Sequence, residues 1–278
     1  MKIRFLGTRG SIPAPGEDTV KYGGNTSCVE VVSDEDLRVI IDAGTGIRKI
    51  NKNFKNDSED IVKFFFTHSH WDHLQGMPFF SQIFYPDKKI DIYIDITFFN
   101  EIKDAIIKQM SGKTFPIQFS SLPSVIKFIP VDNKYSFSEN FKIELFKNNH
   151  PGGASGIKFI NNNKIFIFVT DNELKLLKEK GDYEAFKKFC ENADIIAHDG
   201  QYLEKEMKIK RGWGHTTIED LIQFYMEVKP KIGVFTHHDP ERKDFEIDEM
   251  ETWANNEIKK NNLSITIIAA REDMVLEI

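Results

Sequence analysis

The stretch FFFTHSHWDHLQG, residues 64 to 76, places three histidines and one aspartate within six positions, directly after a run of aromatic residues. His68 and His70 lie two residues apart, so in a loop or extended segment both imidazoles can reach the same ion. Asp72 and His73 are adjacent and can point to a second position. Imidazole and carboxylate suit zinc or a similar divalent ion. A histidine-rich surface loop is the alternative, but the position directly after a buried strand favours a metal site.

Length and composition predict the general class of protein. With 278 residues and 40% hydrophobic composition, the chain is expected to form one domain over residues 1–278. A net charge of −6 argues against sequence-independent nucleic-acid binding, although a local basic pocket stays open. The two cysteines, Cys28 and Cys190, are too few for a disulfide framework. Without an apolar leader or a run of about 20 apolar residues, the sequence predicts a cytoplasmic protein and no membrane partner.

Short apolar runs alternate with helical patterns along the chain. Helical spacing is found in residues 98–110, 173–190 and 216–228, whereas prolines and serines in residues 111–130 indicate a surface insertion. Interleaved strands and helices predict an α/β (α+β) fold with sheets covered by helices. The predicted strands are KIRFLG, SCVEVV, RVIIDAG, IVKFFFTH, KIDIYI, FKIELF, KIFIFVTD, DIIAHDG, KIGVFTHHD and SITIIA.

Polar residues follow several of these strands. Four lie within two residues of a strand end, and a fifth, His150, comes slightly later. Strand ends on one side of a sheet converge, which is where sites are commonly assembled. The four residues are His68, Asp171, His198 and His237.

The HSHWDH segment resembles the HxHxDH signature of the metallo-β-lactamase fold, and the resemblance extends from residue 3 to about residue 240. This resemblance implies a four-layer αββα sandwich with a dinuclear metal site between two sheets. Two divalent ions are expected, with zinc as the first choice and manganese or iron as alternatives. The resemblance implies His68, His70 and His150 as ligands of one metal, Asp72, His73 and His237 as ligands of the other, and Asp171 as the bridging carboxylate.

Other segments narrow the resemblance to one branch. FLGTRGSIPAPG, GGNTSCVEV and VIIDAGTGI are similar to the N-terminal pattern of the RNase Z-like and cyclic-nucleotide-phosphodiesterase-like branch. HDGQY (198–202) and GWGHTT (212–217) resemble two further motifs of that branch. They imply a carboxylate–imidazole pair, Asp199 and His215, near the metals. In this interpretation a metal-bound hydroxide is the nucleophile, Asp72 also orients it, and His215 assists the departing oxygen.

Several residues have a structural alternative. Asp42 is favoured as a residue that hydrogen-bonds loop amides under the site, and His198 as a buried, satisfied histidine. His215 precedes two threonines and could simply mark a helix start, because threonine is a good N-cap. In THHDP the resemblance matches His237, which leaves His238 as a neighbour of the ligands or of substrate.

The resulting hypothesis is a dinuclear phosphodiesterase for a small phosphodiester, first of all a cyclic nucleotide such as cAMP or cGMP. The main rival is an RNase Z-like tRNA 3′ endonuclease. Against it, the 27 residues between Asp171 and Asp199 have a helical pattern, which leaves no room for the long arm that binds tRNA in that family. A non-catalytic metal-binding or sensor protein on the same fold is a third possibility, and glyoxalase II-type thioester hydrolysis a minor one. A homodimer is suggested by analogy with relatives.

Overall fold

The computed structural model describes residues 1–55 and 61–278. In this part of the chain, strands form two seven-stranded sheets, ordered β14-β1-β2-β3-β4-β5-β6 and β13-β12-β11-β10-β9-β8-β7. The strands are β1 (Lys2–Gly7), β2 (Cys28–Val32), β3 (Arg38–Ile41), β4 (Ile61–Phe66), β5 (Lys89–Asp95), β6 (Val125–Val131), β7 (Lys134–Ser136), β8 (Phe141–Asn148), β9 (Ala154–Asn161), β10 (Lys164–Val169), β11 (Ile195–Asp199), β12 (Ile232–Thr236), β13 (Thr266–Ala269) and β14 (Val275–Glu277).

Helices connect these strands. The longer 3-10 segments are Thr45–Lys55 and Ser81–Phe84, and the short ones are Glu17–Thr19, Met77–Phe79, Ile96–Phe98, Phe119–Ser121 and Glu204–Glu206. None of the helices in the two described ranges is both long and apolar enough to cross a membrane. The α-helices are α1 (Trp71–Leu74), α2 (Phe99–Gln109), α3 (Leu174–Glu179), α4 (Tyr183–Phe189), α5 (Met207–Lys210), α6 (Ile218–Val228) and α7 (Asp244–Lys260).

Strand β4 shows how the layers arise from the sequence. Successive side chains of a strand point to opposite faces, so the consecutive phenylalanines divide between two cores. Phe65 packs between the two sheets, while Phe64 and Phe66 pack on the outer face of the first sheet with Ile102 of α2. All three rings are fully buried. Each such burial contributes about 1.5–3 kcal/mol, which explains a strand that is apolar on both faces.

Three apolar cores give the molecule four layers. One core lies between the two sheets, and a second lies between the first sheet and α2. The third covers the outer face of the second sheet with side chains from α3, α4, α6 and α7. The predicted αββα sandwich of the metallo-β-lactamase fold is therefore confirmed.

The sheet topology brings the strand ends together. Strands β3 to β6 are mutually parallel, and so are strands β10 to β13. Because the carboxyl ends of parallel strands share one edge, the loops after β3, β4, β10, β11 and β12 collect at one side of the sandwich.

Some predicted boundaries were wrong. β6, β7, β9 and β14 were missed, and all of β6 except Val131 lies inside the segment 111–130 that was expected to be an insertion. β6 is an edge strand, where Pro130 is tolerated because one side of the strand needs no ladder partner. The single helical pattern over 173–190 is divided into α3 and α4, with Gly181 at φ +85° between them. His198 is the penultimate residue of β11, so it does lie within two residues of a strand end.

Candidate metal centre

Three histidines form what we call the outer cluster: His68, His70 and His150. Nε2 of His150 lies 2.9 Å from Nδ1 of His70. Nε2 of His68 and Nε2 of His150 each lie 3.5 Å from Oδ2 of Asp171. These four atoms lie within 4.8 Å of one another, so they can face a single ion. We call the cluster outer because His70 is exposed.

Asp72, His73 and His237 form the inner cluster, in which every residue is buried. Nε2 of His237 is 3.3 Å from Nε2 of His73 and 3.1 Å from Oδ2 of Asp72. The second oxygen of Asp171, Oδ1, lies 3.2 Å from Nε2 of His73 and 3.3 Å from Nε2 of His237. The two carboxylate oxygens of Asp171 therefore face different clusters, which is the geometry of a bridging ligand.

The donor atoms of the outer cluster fit a divalent ion. Zinc–nitrogen bonds of about 2.0–2.1 Å in a tetrahedron place ligand atoms about 3.3–3.4 Å apart, and the closest pairs here are 2.9 to 3.5 Å apart. Nε2 of His68 is buried and has no hydrogen-bond partner. Burial and neighbouring His73 hold the pKa of His68 well below its ordinary value, and burial lowers the pKa of His150 to about 4. Both rings are thus neutral and can donate a lone pair.

Charge is balanced differently in the inner cluster. Burial alone would lower the pKa of His73, but the carboxylates of Asp72, Asp171 and Asp42 outweigh it and raise this pKa well above its ordinary value. Burial also opposes ionisation of Asp171, yet His237 and His73 hold the pKa of that carboxyl well below its usual range. The inner cluster is therefore a closely paired set of anions and imidazoles, into which a cation fits electrostatically.

Three residues of the site adopt the left-handed backbone conformation just after their strands: Asp42, Asp171 and His237, with φ of 59°, 60° and 58°. Residues other than glycine seldom adopt this conformation, and it concentrates at functional sites. In each case the chain turns at the strand end, and the side chain enters the hydrogen-bond network of the site.

Each histidine of the inner cluster has a polar partner at its second ring nitrogen. Asp42 is fully buried, accepts a hydrogen bond from the Thr67 amide at 2.8 Å and lies 2.7 Å from Nδ1 of His73. A proton held on Nδ1 leaves Nε2 of His73 free for a metal. Oε1 of Gln201 likewise lies 3.1 Å from Nδ1 of His237. The sequence predicted the amide contact of Asp42, but not its contact with His73, which joins residues 31 positions apart.

His215 lies at the edge shared by the two clusters. Its Nδ1 is 3.2 Å from Oδ2 of Asp199, and its Nε2 is 4.0 Å from Oδ2 of Asp171. Its ring stacks on that of His237 at a centroid distance of 5.1 Å. Asp199 also accepts from the Thr216 amide at 3.0 Å. Burial opposes ionisation of Asp199, but its histidine neighbours lower the pKa, so the carboxylate is charged and can fix the imidazole.

Glu173 was not predicted as a site residue. Its buried carboxylate accepts hydrogen bonds from the amides of Gly212 at 2.9 Å and Gly214 at 3.1 Å, and so fixes the GWGHTT loop. The Gly214 carbonyl lies 3.1 Å from Nδ1 of His150, and a Cβ at Gly214 would lie 2.1 Å from that nitrogen. No sequence pattern distinguishes a buried glutamate of this kind from a solvent-exposed one.

The two remaining histidines lie outside both clusters. In His198, Nδ1 faces the Asp199 backbone carbonyl at 2.8 Å and Nε2 faces the Asn172 side-chain amide at 3.1 Å. Both ring nitrogens of this buried residue thus have partners. His238 is also buried, with Nε2 donating to the Ala270 carbonyl at 2.7 Å. The geometry therefore agrees with choosing His237 rather than His238.

Comparison with known proteins places this site in a family. Residues 1–257 match the family model described as anti-Pycsar protein Apyc1. A ribonuclease Z of Picrophilus torridus is 24% identical over 289 aligned positions, which cover 88% of each chain. Among solved structures, the metallo-β-lactamase fold protein YhfI from Bacillus subtilis has a TM-score of 0.69 at 17% identity, covering 99% of this chain and 98% of its own. A diphosphatase from the PhnP family has a TM-score of 0.69 at 16% identity, covering 100% and 97%.

These matches confirm the resemblance drawn from HSHWDH and the RNase Z-like segments. They relate the chain to hydrolases named as ribonuclease Z and as a diphosphatase, and its two His/Asp clusters can hold metal ions. The chain belongs to the anti-Pycsar protein Apyc1 family and has the metallo-β-lactamase fold.

Proposed function

We propose that this protein is a metal-dependent phosphodiesterase that hydrolyses a small phosphodiester, with a cyclic nucleotide of the cAMP or cGMP type as first choice. The observation that carries the proposal is Asp171, whose two oxygens face two separate clusters at 3.2 to 3.5 Å. Two bound divalent ions would supply an activated water and neutralise charge on the phosphate. Zinc is the first choice, with manganese or iron as alternatives.

The ligand residues fall into two sets around Asp171. The outer cluster would hold one ion and the inner cluster the other. Oδ2 of Asp72 receives a hydrogen bond from the Ser11 amide at 2.7 Å and lies 3.1 Å from Nε2 of His237. Oδ1 of Asp72 takes no part in these contacts, so it is available to orient the attacking water. In this proposal Asp72 would both hold the inner ion and orient the attacking water.

His215 is the proton donor of the proposed mechanism. Asp199 lies next to Nδ1, so the imidazole presents Nε2 toward the Asp171 edge of the centre. From there the protonated ring can give its Nε2 proton to the oxygen that leaves phosphorus, and Asp199 balances the charge of the imidazolium. A departing ribose oxygen is a strong base, so its protonation contributes to the rate.

The alternative function is tRNA 3′ cleavage, supported by the relation to ribonuclease Z of Picrophilus torridus. Two features favour the small substrate. α3, α4 and β11 together occupy most of the chain between Asp171 and Asp199, where a long arm would otherwise lie. In addition, the net charge of −6 is unfavourable for a long polyanion.

A substrate panel on metal-loaded protein tests this proposal. We expect hydrolysis of 3′,5′-cyclic nucleotides, measured with purine and pyrimidine bases, and weaker or no cleavage of a precursor tRNA. A chelator-treated sample serves as the control. Efficient 3′ cleavage of the tRNA without attack on any cyclic nucleotide would establish the alternative. A metal-loaded protein that is inert toward all of these and toward bis(p-nitrophenyl) phosphate would indicate a sensor.

A further inference from the structure

A groove opens beside the outer cluster. One wall is formed by α1 and the 3-10 helix Met77–Phe79, and the other by the C-terminal end of α2 with residues 114–115. Its volume is about 640 Å³, within the range of small-molecule sites. Trp71, on the first wall, stands between His70 of the outer cluster and Asp72 of the inner cluster. The groove therefore borders the segment that carries these candidate ligands.

Aromatic side chains dominate this groove. Trp71 is 72% exposed and Phe79 is 61% exposed. The Phe79 ring meets Phe115 edge to face, with centroids 5.6 Å apart and planes at 87°. An exposed tryptophan next to metal ligands leaves a large flat π-face uncovered. Exposed aromatic surface that adjoins a catalytic centre is a common mark of a ligand site.

A buried hydrogen-bond donor also lines the groove. Nε2 of Gln109, at the end of α2, has no hydrogen-bond partner and no contact with solvent. A buried donor without an acceptor is destabilising, so a side-chain rotation that turns this amide into the groove, where a ligand can supply the acceptor, is favoured. Lys108, the cation on this rim, is 3.0 Å from Asp104, so the groove offers no free cation there for a phosphate.

We propose that this groove binds the nucleobase of the substrate, with the base stacked on Trp71 and an acceptor on its edge facing Nε2 of Gln109. This inference rests on the proposed phosphodiesterase function and extends it to substrate recognition. A nucleobase has the required chemistry, because it is flat, aromatic, uncharged and edged with carbonyl or ring-nitrogen acceptors. The phosphate would then lie at the outer cluster, whose His70 directly precedes Trp71 in the sequence.

Two matched substrates test the proposal: thymidine 5′-(4-nitrophenyl phosphate) and methyl 4-nitrophenyl phosphate. Both release the same leaving group, and only the first carries a base. Stacking on one aromatic side chain is expected to account for about a 10- to 100-fold change in KM. Trp71→Ala should therefore raise KM for the thymidine ester by that factor and alter KM for the methyl ester less than about twofold.

Trp253→Ala is the matched control. Trp253 lies on α7, is 37% exposed and is not part of the groove. Both substrates should react as in the wild type. Gln109→Leu, which removes the donor and keeps the apolar volume, should raise KM for the thymidine ester alone. Quenching of tryptophan fluorescence by thymidine 5′-monophosphate should be lost in Trp71→Phe and retained in Trp253→Phe.

Specific outcomes would overturn the proposal. Equal losses for both esters in Trp71→Ala would mean that Trp71 supports the metal centre rather than the base. Unchanged KM for the thymidine ester, together with conversion of a dimer to a monomer in sedimentation, would mean that a second copy covers the groove. If the wild type hydrolyses neither ester and no cyclic nucleotide, the proposed function fails, and the fluorescence titration still decides whether the groove binds a base.

Discussion

The inner and outer clusters use similar ligands but are held in different ways. The inner cluster is buried, and its histidines face a carboxylate and a side-chain amide through their second nitrogens, at 2.7 Å from Asp42 and 3.1 Å from Gln201. In the outer cluster His70 is exposed, and the second nitrogen of His150 faces only the Gly214 carbonyl. A charged acceptor holds a ring more firmly than a neutral one.

We therefore expect the two clusters to differ in how strongly they retain an ion and in how easily substrate reaches them. The inner cluster is rich in anions and closed to solvent, so we expect it to retain its ion more strongly. The outer cluster adjoins both the aromatic groove and solvent, and we expect substrate to enter from that side. Asp171 couples the two, and His215 lies between His150 and His237, with ring centroids 5.3 Å and 5.1 Å away.

Replacing the shared ligand should cause the largest effect. Asp171→Asn removes the charge that both clusters use, so both ions should be lost or weakened. Because the ions contribute several kcal/mol of charge stabilisation, turnover should fall by about 10⁴-fold or more. Metal content by mass spectrometry and turnover of a cyclic nucleotide measure the two consequences.

Asp199→Asn provides the control for that change. Asp199 is equally buried but contacts His215 and the Thr216 amide, so this variant should keep both ions. If Asp171→Asn retained two tightly bound ions, the clusters would be independent sites and Asp171 would not be a bridge.

The next largest loss of turnover is expected from changing His215, which lies between the clusters. His215→Ala removes the proposed proton donor, and turnover of a cyclic nucleotide should fall by about 10²- to 10³-fold. Both ions should stay bound. Bis(p-nitrophenyl) phosphate should be affected far less, because p-nitrophenolate leaves without a proton. Equal losses on the two substrates, or loss of an ion, would mean that His215 is a ligand or a structural residue.

The sequence predicted the parts of the site that are encoded locally. His68, Asp171 and His237 follow strands that are clear apolar runs, so their convergence could be inferred from the parallel arrangement of strand ends. The missed strand β9, ASGIKFIN, begins with small residues of low strand preference. It is specified by pairing with β8 and β10, which no local pattern records.

The supporting contacts were much harder to predict. Asp42 reaches His73, and Glu173 reaches Gly212, across long stretches of chain. Whether a carboxylate is buried against such a partner depends on the packing of several elements. The aromatic groove is similar, because its two walls, α1 and the C-terminal end of α2, are separated in the sequence.

A moderate effect on metal affinity is expected from Asp42, which lies next to His73 of the inner cluster. In Asp42→Asn the amide group would face Nδ1 of His73 with a donor, which favours the ring proton on Nε2 and so weakens metal binding. Loss of such a supporting carboxylate typically lowers metal affinity by about 10- to 100-fold. Competition with a chelator should show that one of the two ions now dissociates more readily.

Asp104→Asn is the matched control for Asp42→Asn. Asp104 is a surface carboxylate paired with Lys108, so both ions should bind as in the wild type. If Asp42→Asn left both affinities unchanged, the inner cluster would not depend on its buried anion. The contrast between the two clusters would then rest on burial alone.

The smallest effect on turnover is expected from Glu173, which fixes the GWGHTT loop beside His150 of the outer cluster. In Glu173→Gln the amide oxygen can replace Oε2, which accepts from both Gly212 and Gly214, but an NH₂ group replaces Oε1, so the second contact with Gly212 and the negative charge are lost. A loss of about 1 kcal/mol corresponds to a decrease in turnover of about fivefold. Glu179→Gln, in which an exposed carboxylate paired with Arg211 is changed, should have no effect. Because this loop both aims His215 and contacts His150, metal content separates the two roles. Unchanged metal with lower turnover means that the loop aims the proton donor, whereas early loss of one ion would show that it mainly supports the outer cluster.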